Sequence, residues 1–538
     1  MNRKSLVTCL AGALCAWAAA SASAQVDDAN EIDKAQGDKF VKREKDWRNG
    51  AVVYQVYVDR FAPPADLAAK RALYPAPKVL HAWSDLPTHG HYVPEAKVWS
   101  HEIDFWGGDL QSLRGKLDYI QGLGADVLYL NPIDLAYTNH KYDTLDYRAV
   151  SPEYGTRDDA RALARDVHAR GMKLMLDGVF NHMGRNSTIF KQAESDTHSP
   201  YRDWFVFGPQ FAGGARSWAL AENLPELNLE NPAVREDLWN GHDSVVRGWL
   251  RDGVDGWRLD VAFDIGFRYL GELTQAAHDE KPGSEVIGEI ANFPREWYPS
   301  VDGLIHFTLR QVILGVAGGR IDAAAGQQMI ARIVQDADYE HILKSWVYLD
   351  NHDTVRLATA LPDAAQRRLA QVLQFTLPGS PDMFYGTELD MPGGDDPEMR
   401  APMRWDLVKA DNPVLNWNRR LVALHKDNRA LRVGDYRAIT SGQLMGFERY
   451  TERAADTIVV LLNPSDKPVT DTVLVANSKL MDGTRMVNLL ADRSDSATLA
   501  DTRLFSALLH LTLPAHGFAV LKPDVAPPGG YTNYKRVQ

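Results

Sequence analysis

The chain has 538 residues, of which 45% are hydrophobic and 24% charged, a composition typical of a globular protein with room for more than one domain. Its formal net charge of −12 gives an acidic surface that repels phosphate backbones, so nucleic acid is excluded as a partner. Both cysteines, Cys9 and Cys15, lie in the N-terminal apolar stretch, which excludes disulfides, thiolate metal sites and cysteine nucleophiles from the remainder.

Residues 1–24 have the pattern of a secretory signal peptide. A positively charged start precedes an apolar stretch from Leu6 to Ala20 and a small-residue cleavage site before Gln25. The alternative is an uncleaved anchor, which is disfavoured because the stretch is shorter than the ~20 residues that span a bilayer. We therefore expect a periplasmic or secreted protein with no membrane association after cleavage. Residues 25–50 are polar and are expected to form an exposed lead-in.

From residue 51 to residue 430 the chain alternates short apolar segments with longer amphipathic ones. Near-continuous apolar runs are typical of parallel strands covered on both faces. Eight such strands are predicted, at Val52–Val58, Asp126–Leu130, Met172–Asp177, Val254–Leu259, Val286–Glu289, Gly303–Phe307, Trp346–Leu349 and Asp382–Tyr385. Helices are predicted at Arg157–Arg170, Ala233–Arg251, Gly266–Asp279, Ala323–Asp336, Ala364–Phe375 and Pro413–Asn428. This alternation predicts an α/β fold, a (β/α)₈ TIM barrel.

Three further regions depart from this alternation. The polar, aromatic-rich stretch at 183–231 is too long for a strand–helix loop and is predicted to be a domain inserted after strand 3. Residues 431–525 contain short alternating strands with turn residues, which predict a C-terminal antiparallel β-sandwich. Residues 526–538 are expected to form a loose tail.

Three acidic residues, Asp260, Glu289 and Asp353, stand at or just beyond the carboxyl ends of predicted strands. In a parallel barrel these ends meet at one mouth, where catalysis takes place. Hydrolysis of a glycosidic bond needs a carboxylate at the anomeric carbon and a protonated carboxyl group at the leaving oxygen. A single aspartate at a strand end is commonly a cap or an ion-pair partner, but three with polar neighbours indicate a carbohydrate-active site. We expect the carboxyl groups of Asp260 and Glu289 to lie about 5 Å apart, with Asp353 beside them.

The neighbours of these acids predict their protonation. Arg258 shares a strand face with Asp260, so its guanidinium is expected to keep the pKa of Asp260 low and the carboxylate charged. Glu289 has apolar or small neighbours, so desolvation and nearby negative charge are expected to raise its pKa and retain its proton. Asp353 follows His352 and could hold sugar hydroxyl groups.

The acids lie within recognisable motifs. The first four are DGVFNH (177–182), GWRLDVAFD (256–264), EVIGEIAN (285–292) and YLDNHD (348–353). They resemble the signature segments of the α-amylase superfamily, glycoside hydrolase family 13. Four further segments resemble that family in the same order, at 52–61, 105–110, 224–228 and 379–400. The resemblance implies a barrel, a domain protruding after the third strand and a β-sandwich behind it.

The resemblance also implies catalytic roles. Asp260 would be the nucleophile and Glu289 the general acid/base. Asp353 would bind sugar hydroxyl groups and distort the ring.

Further residues would bind the sugar at the cleavage site. His182 and His352 would donate or accept hydrogen bonds, and Arg258 would orient the nucleophile with support from Asp177. The segment NHKYDTLDY (139–147) resembles one in cyclodextrin- and pullulan-degrading members, in which the tyrosine, here Tyr142, stacks on that sugar. Core packing for the tyrosine and a structural role for the histidines are the alternatives.

Departures from the family pattern bear on substrate choice. Phe263 and Asp264 stand where endo-acting α-amylases often have lysine and histidine, which argues against a starch-liquefying enzyme. The cyclomaltodextrinase, neopullulanase and maltogenic amylase group is the nearest resemblance. Its members usually have an N-terminal β domain, for which we expect no room before the first strand, and a tryptophan where this chain has Ala291.

We therefore predict a retaining α-glucan hydrolase that acts on maltooligosaccharides, cyclodextrins or related α-glucans through a covalent glycosyl-enzyme intermediate. The alternatives are an α-amylase or a cyclodextrin glucanotransferase-like transglycosylase acting on starch and, from another class, a catalytically inactive glucan-binding protein. No cofactor is required. The resemblance allows a structural calcium ion, because Asn181 matches a ligand position in some relatives, but it assigns no metal site. Asp395 and Asp396 are interpreted as turn residues, and the oligomeric state is left open.

Overall fold

The structure is a computed structural model that describes residues 37–491 and 501–525. The predicted signal peptide (1–24), the start of the lead-in and the predicted tail (526–538) lie outside the described residues. Within the two described ranges, no helix combines the length and the hydrophobicity that a membrane span requires.

Eight parallel strands form a closed barrel in chain order. They are β1 (Val53–Val56), β2 (Val127–Leu130), β3 (Lys173–Gly178), β4 (Gly256–Leu259), β5 (Glu285–Glu289), β6 (Gly303–Ile305), β7 (Trp346–Tyr348) and β8 (Ser380–Phe384). The barrel closes because β1 pairs with both β2 and β8. The predicted TIM barrel is confirmed, with every predicted strand present.

Helices surround the barrel. In chain order they are α1 (residues 37–45), α2 (Val58–Phe61), α3 (Leu110–Arg114), α4 (Leu117–Leu123), α5 (Arg157–Ala169), α6 (Thr188–Ser195), α7 (Pro232–Arg235), α8 (Val245–Arg251), α9 (Ala262–Glu280), α10 (Phe307–Ala317), α11 (Ala323–Asp336), α12 (Tyr339–Ile342), α13 (Leu357–Ala360), α14 (Ala364–Thr376), α15 (Pro413–Asp427) and α16 (Arg429–Val433). Side-chain caps fix several starts: Thr156, Asp363 and Asn412 each accept a backbone N–H from the first turn of the helix that follows.

One predicted helix is interrupted, and one helix of the structure was not predicted. The helix predicted over 233–251 is interrupted after Asn240, because Gly241 has extended backbone with ψ 152° and a new helix begins at Val245. Helix α10 was missed because most of its residues are buried, so it lacks the polar face that marks an amphipathic helix. In the described chain, β5 and β6 are joined through a 3₁₀ turn, Tyr298–Ser300, where the other connections carry helices.

The expectation of an exposed lead-in is wrong for its described part. Residues 37–45 are helical, with Phe40 buried. Arg43, also on this helix, forms ion pairs with Glu340 of the barrel (2.7 Å) and Asp435 of the C-terminal region (2.8 Å). The segment therefore packs against both, because one guanidinium reaches two carboxylates that are distant in sequence.

The inserted stretch contains helix α6 and irregular chain. Isolated bridges, among them His182 to Glu226 and Ser217 to Pro225, fasten it beside the carboxyl end of β3. The loops after β1 and β2 contain three smaller strand pairs: Val79–Leu80 with Asp104–Phe105, Tyr92–Val93 with Val98–Trp99, and Asp134–Ala136 with Thr144–Val150.

The C-terminal region contains two antiparallel sheets. Their strands are β9 (Asp435–Ala438), β10 (Met445–Tyr450), β11 (Ile458–Leu462), β12 (Val469–Leu474), β13 (Arg485–Asn488), β14 (Thr502–Arg503), β15 (Leu508–Leu513) and β16 (Phe518–Pro523). The six-stranded sheet has the order β9-β10-β11-β16-β13-β14, and β12 pairs with β15. Along β11, Val459 and Leu461 pack into the core between the sheets, while Val460 and Leu462 pack into the core shared with the barrel. This alternation attaches the sandwich to the barrel.

Candidate active site

One buried arginine, Arg258, binds three carboxyl groups at the ends of three adjacent barrel strands. Its Nη1 donates to both oxygens of Asp177 on β3, at 2.8 and 3.0 Å, and to Asp260 Oδ1 at 3.0 Å. Its Nη2 lies 2.7 Å from Glu289 Oε1 on β5. The structure thus brings Asp260 and Glu289 onto the two ends of one guanidinium.

The residue after Asp260 fixes the second oxygen of Glu289. Val261 has φ 47° and ψ 39°, a left-handed conformation that is strained for a β-branched residue. Its N–H donates to Glu289 Oε2 at 3.0 Å. Both oxygens of Glu289 are therefore held, one by Arg258 and one by this backbone N–H.

Burial governs protonation in this cluster. It raises the pKa of Glu289, with a smaller contribution from the nearby charge of Asp353, so the expected direction is confirmed. Burial also raises the pKa of Asp260 and brings the pKa of Asp177 to about 6. The expectation of a low pKa for Asp260 is therefore wrong: Arg258 opposes the rise, but one guanidinium divided among three buried carboxyl groups does not offset their desolvation.

Tyr142 and His352 form another part of the site, next to Asp177. The Tyr142 hydroxyl donates to Asp177 Oδ2 (2.9 Å) and lies 2.5 Å from His352 Nε2, and the two rings stack with centroids 5.5 Å apart. Gln55 Nε2 donates to His352 Nδ1 (2.9 Å). Since that nitrogen accepts, the proton of the imidazole is on Nε2, which can donate to Tyr142 or to Asp353 Oδ2 at 3.0 Å. Burial lowers the pKa of His352, which keeps the ring neutral.

His182 presents an unpaired nitrogen to the site. Burial lowers its pKa to about 4, so the ring is neutral. Its Nε2 has no hydrogen-bond partner within the described chain and lies 3.9 Å from Asp260 Oδ2. The ring stacks on Trp218 of the inserted stretch, with centroids 5.7 Å apart. A buried polar atom of this kind favours a ligand hydroxyl as its partner. Trp218 was missed, and its only sequence signal was the aromatic richness of the insertion.

Arg400 was also missed. Its Nη2 lies 3.2 Å from Asp353 Oδ1 and its Nε donates to the carbonyl of His352 at 2.8 Å. Asp396 is paired with the same arginine at 3.1 Å, so it does more than form a turn. The i, i+4 spacing of the two residues was the available signal. Together they position Asp353, whose side chain is less buried than the other two acids.

An exposed aromatic surface borders the acids. Phe263 and Phe267 are 48% and 49% exposed, and their ring centroids lie 5.4 and 4.0 Å from that of Trp297. The first two follow Asp260 on α9, and Trp297 follows Glu289. Between the two phenylalanines, Gly266 breaks the helix with φ 80° and ψ 159°.

The described residues contain no group of three or more histidine, cysteine, aspartate or glutamate side chains placed to hold a metal ion. At the position suggested for calcium, the Asn181 amide nitrogen faces His182 Nδ1 at 3.4 Å. The side-chain oxygen of Asn181 is a type of ligand that calcium takes, so a structural calcium ion stays a prediction and no chemical step is assigned to one.

Comparisons with known proteins agree with this geometry. Residues 55–414 match the alpha-amylase family, described as the alpha amylase catalytic domain. The chain is 33% identical over 403 residues to an intracellular maltogenic amylase from Bacillus subtilis, a match that covers 72% of this chain and 63% of that one. It is 30% identical over 488 residues to a cyclomaltodextrinase from Geobacillus thermopakistaniensis, covering 88% and 77%. The chain therefore spans just under two thirds of the Bacillus relative.

Among solved structures, the chain is similar to a cyclic alpha-maltosyl-(1→6)-maltose hydrolase from Arthrobacter globiformis. The TM-score is 0.73 at 29% identity, with 88% of this chain and 99% of that one covered. A debranching enzyme from Nostoc punctiforme gives a TM-score of 0.70 at 28% identity, with 89% and 99% covered.

Proposed function

We propose that this chain, which belongs to the α-amylase family of glycoside hydrolases, cleaves α-glucosidic bonds in maltooligosaccharides, cyclodextrins or related α-glucans with retention of configuration. The observation that carries the proposal is the binding of Asp260 and Glu289 to one guanidinium at the mouth of the barrel. In a retaining enzyme the nucleophile and the acid lie close together, because the nucleophilic carboxylate attacks C1 directly and no water has to fit between it and the sugar.

In the first step Asp260 attacks C1 of the sugar. The bond from C1 to the leaving oxygen breaks as an ester bond to the Asp260 carboxylate forms, and Glu289 gives its proton to the leaving oxygen. The raised pKa of Glu289 supports this role, because the proton must be present at neutral pH. The bond from Arg258 Nη1 to Asp260 Oδ1 favours the charged form of the nucleophile.

In the second step Glu289 acts as a base. It takes a proton from water, the water oxygen bonds to C1, and the ester bond to Asp260 breaks. Two inversions leave the α configuration unchanged. If a sugar hydroxyl replaces water, the same step transfers the glycosyl group.

Sugar binding is proposed for the surrounding polar groups. Nε2 of His182 and Nε2–H of His352 would bond hydroxyl groups, and the Tyr142 ring would stack on the apolar face of the sugar. The unpaired state of His182 Nε2 supports this assignment. Asp353, held by Arg400, would bind two hydroxyl groups and favour a distorted ring.

The substrate class is proposed from the relatives. Their names include a maltogenic amylase, cyclomaltodextrinases, a neopullulanase and a cyclic maltosyl-maltose hydrolase. The names of the cyclomaltodextrinase and of the cyclic maltosyl-maltose hydrolase refer to cyclic α-glucans, and that of the neopullulanase refers to pullulan. Together with Phe263 in place of lysine, they favour such substrates over long starch chains.

Export is a separate proposal. It is supported by the charge, hydrophobicity and small-residue pattern of residues 1–24. Expression of the full chain in a Gram-negative host, followed by osmotic shock and N-terminal sequencing, should find a periplasmic protein that begins at Gln25. An uncleaved protein in the cytoplasmic fraction would contradict export.

The enzymatic proposal is tested by product analysis. The purified protein is incubated with starch, pullulan, β-cyclodextrin and maltotriose, and the products are separated by chromatography. We expect β-cyclodextrin to be opened faster than starch is degraded, and ¹H NMR to show the α-anomer first. Cyclic products from starch would support a transferase, and an initial β-anomer would refute retention.

Matched variants test the two catalytic roles. Asp260→Asn and Glu289→Gln keep the side-chain shapes, and each should lower kcat by about 10⁴-fold or more, because the first removes the nucleophile and the second removes the general acid/base. A glycosyl fluoride substrate should partly restore the turnover of Glu289→Gln, because fluoride needs less help from an acid in order to leave. No turnover by the wild type would instead favour a glucan-binding protein.

A further inference from the structure

A further cavity lies beside the barrel. Its volume is 440 Å³, within the range of roughly 300–1,000 Å³ typical of small-molecule sites. It is formed by helix α10, the loop after that helix, the segment after Asp353 and the start of α14. None of the proposed catalytic residues lines it, so it is not the site of bond cleavage.

The charge of the cavity is unusual for this protein. Two arginines, Arg310 and Arg320, line it together with Gln311 and Gln366, and the other lining residues are apolar or glycine. No acidic side chain is among them, although the whole chain has a formal net charge of −12. The cavity is therefore a local positive site in an acidic protein.

Arg310 is the buried member of the pair, with 8% of its surface exposed. Its Nε donates to the carbonyl of Leu349 at 2.7 Å, and the guanidinium lies 5.4 Å from the centre of the Tyr348 ring. Within the described part of the chain it forms no ion pair, in contrast to Arg258 and Arg400. Its Nε bond and its packing fix the guanidinium, leaving the two terminal nitrogens for a partner.

Arg320 stands at the solvent side, on the loop that ends α10. It too has no carboxylate partner among the described residues. The side-chain amides of Gln311 and Gln366 add neutral donors. Two guanidinium groups and neutral donors lining one cavity match an oxyanion with several oxygens.

We propose that this cavity binds a phosphoryl group carried on a small molecule, with a sugar phosphate as the ligand class. A phosphoryl group carries several oxygens that accept hydrogen bonds from guanidinium groups. A bare phosphate ion would leave much of the 440 Å³ empty, whereas an attached sugar can fill the part lined by Leu314, Val355 and Leu361. The proposal does not depend on the hydrolase function.

The binding test uses the purified chain with glucose 6-phosphate, inorganic phosphate or glucose as probes, at constant ionic strength set with sodium chloride. We expect glucose 6-phosphate to raise the thermal unfolding midpoint most, inorganic phosphate less, and glucose not at all, because at equal concentration a ligand that binds the folded state more tightly stabilises it more. Isothermal calorimetry gives the dissociation constants.

Variants locate the site. Arg320→Gln removes one charge at an exposed position, so folding is preserved, and it should weaken glucose 6-phosphate binding about 5- to 10-fold. Arg320→Lys keeps the charge but loses the planar guanidinium group, so its affinity for glucose 6-phosphate should lie between those of the wild type and Arg320→Gln. Arg71→Gln is the matched control, an exposed arginine with the same change of charge elsewhere, and should bind as the wild type does.

Three results would overturn the proposal. The first is an unfolding midpoint that glucose 6-phosphate or phosphate raises no more than sodium chloride does at the same ionic strength. The second is an affinity for glucose 6-phosphate that Arg320→Gln leaves unchanged. The third is an equal loss of that affinity in Arg71→Gln. The last would mean that binding follows net charge and not this cavity. A protein that binds the probe but hydrolyses no glucan would support the cavity and refute only the proposed function.

Discussion

Replacing Arg258 by methionine removes the cation that contacts all three carboxyl groups of the cluster. Arg258 is the principal group that lowers the pKa values of Asp177, Asp260 and Glu289 against the effect of burial. If each pKa rises by about one further unit, the cost is about 4 kcal/mol at a pH above all three pKa values, where the three carboxyl groups are ionised. This agrees with the ~3–5 kcal/mol expected when one partner of a buried ion pair is lost.

The loss of stability in Arg258→Met should be smaller at low pH than at high pH. A carboxyl group whose pKa is higher in the folded state than in the unfolded state binds its proton more tightly when folded. Its contribution to stability is present below the unfolded pKa and is lost as the pH rises through the folded pKa. The stability gap between Arg258→Met and the wild type should therefore narrow as the pH falls from 8 to 5.

Urea denaturation followed by tryptophan fluorescence at pH 5, 6, 7 and 8 measures that gap. The control is Arg356→Met, another fully buried barrel arginine, which donates to the carbonyls of Met399 and Tyr385. Carbonyl groups do not titrate, so its gap should be constant over this range. An Arg258→Met gap that is constant, or that widens at low pH, would refute the assigned cause.

Three further outcomes are expected. Gly266→Ala should lower stability by about 1–3 kcal/mol because φ 80° and ψ 159° suit only glycine, whereas Gly122→Ala, in open space on α4, should raise it by about 0.5–1 kcal/mol in the same urea titration. Tyr142→Phe should lower kcat/KM for maltotriose about 10- to 100-fold, since the hydroxyl bonds Asp177 and His352, and an unchanged value would contradict the proposed contact. We expect the exposed Phe263 ring to stack on the sugar that leaves after cleavage, so Phe263→Ala should raise KM for maltotetraose about 3- to 10-fold. The KM for α-maltosyl fluoride should not change, because its leaving group is fluoride and not a sugar, and equal effects on both substrates would refute the stacking.

Local patterns in the sequence carried much of the fold. Eight apolar runs predicted eight strands, because a strand buried on both faces needs a continuous apolar segment wherever it occurs. The i, i+2 spacing of Arg258 and Asp260 predicted their contact for the same reason, since alternate residues of a strand share a face. Helix α10 escaped prediction because burial on most sides leaves no periodic signal.

The active site divides in the same way. The sequence by itself determined which acids stand at strand ends and which arginine accompanies Asp260, because these are relations between near neighbours in the chain. Only the tertiary structure decided that Glu289 shares that arginine, that Arg400 holds Asp353, and that Trp218 covers His182. It also reversed the expected pKa of Asp260, because desolvation depends on all the strands and loops that close around a side chain, and no local segment contains that information.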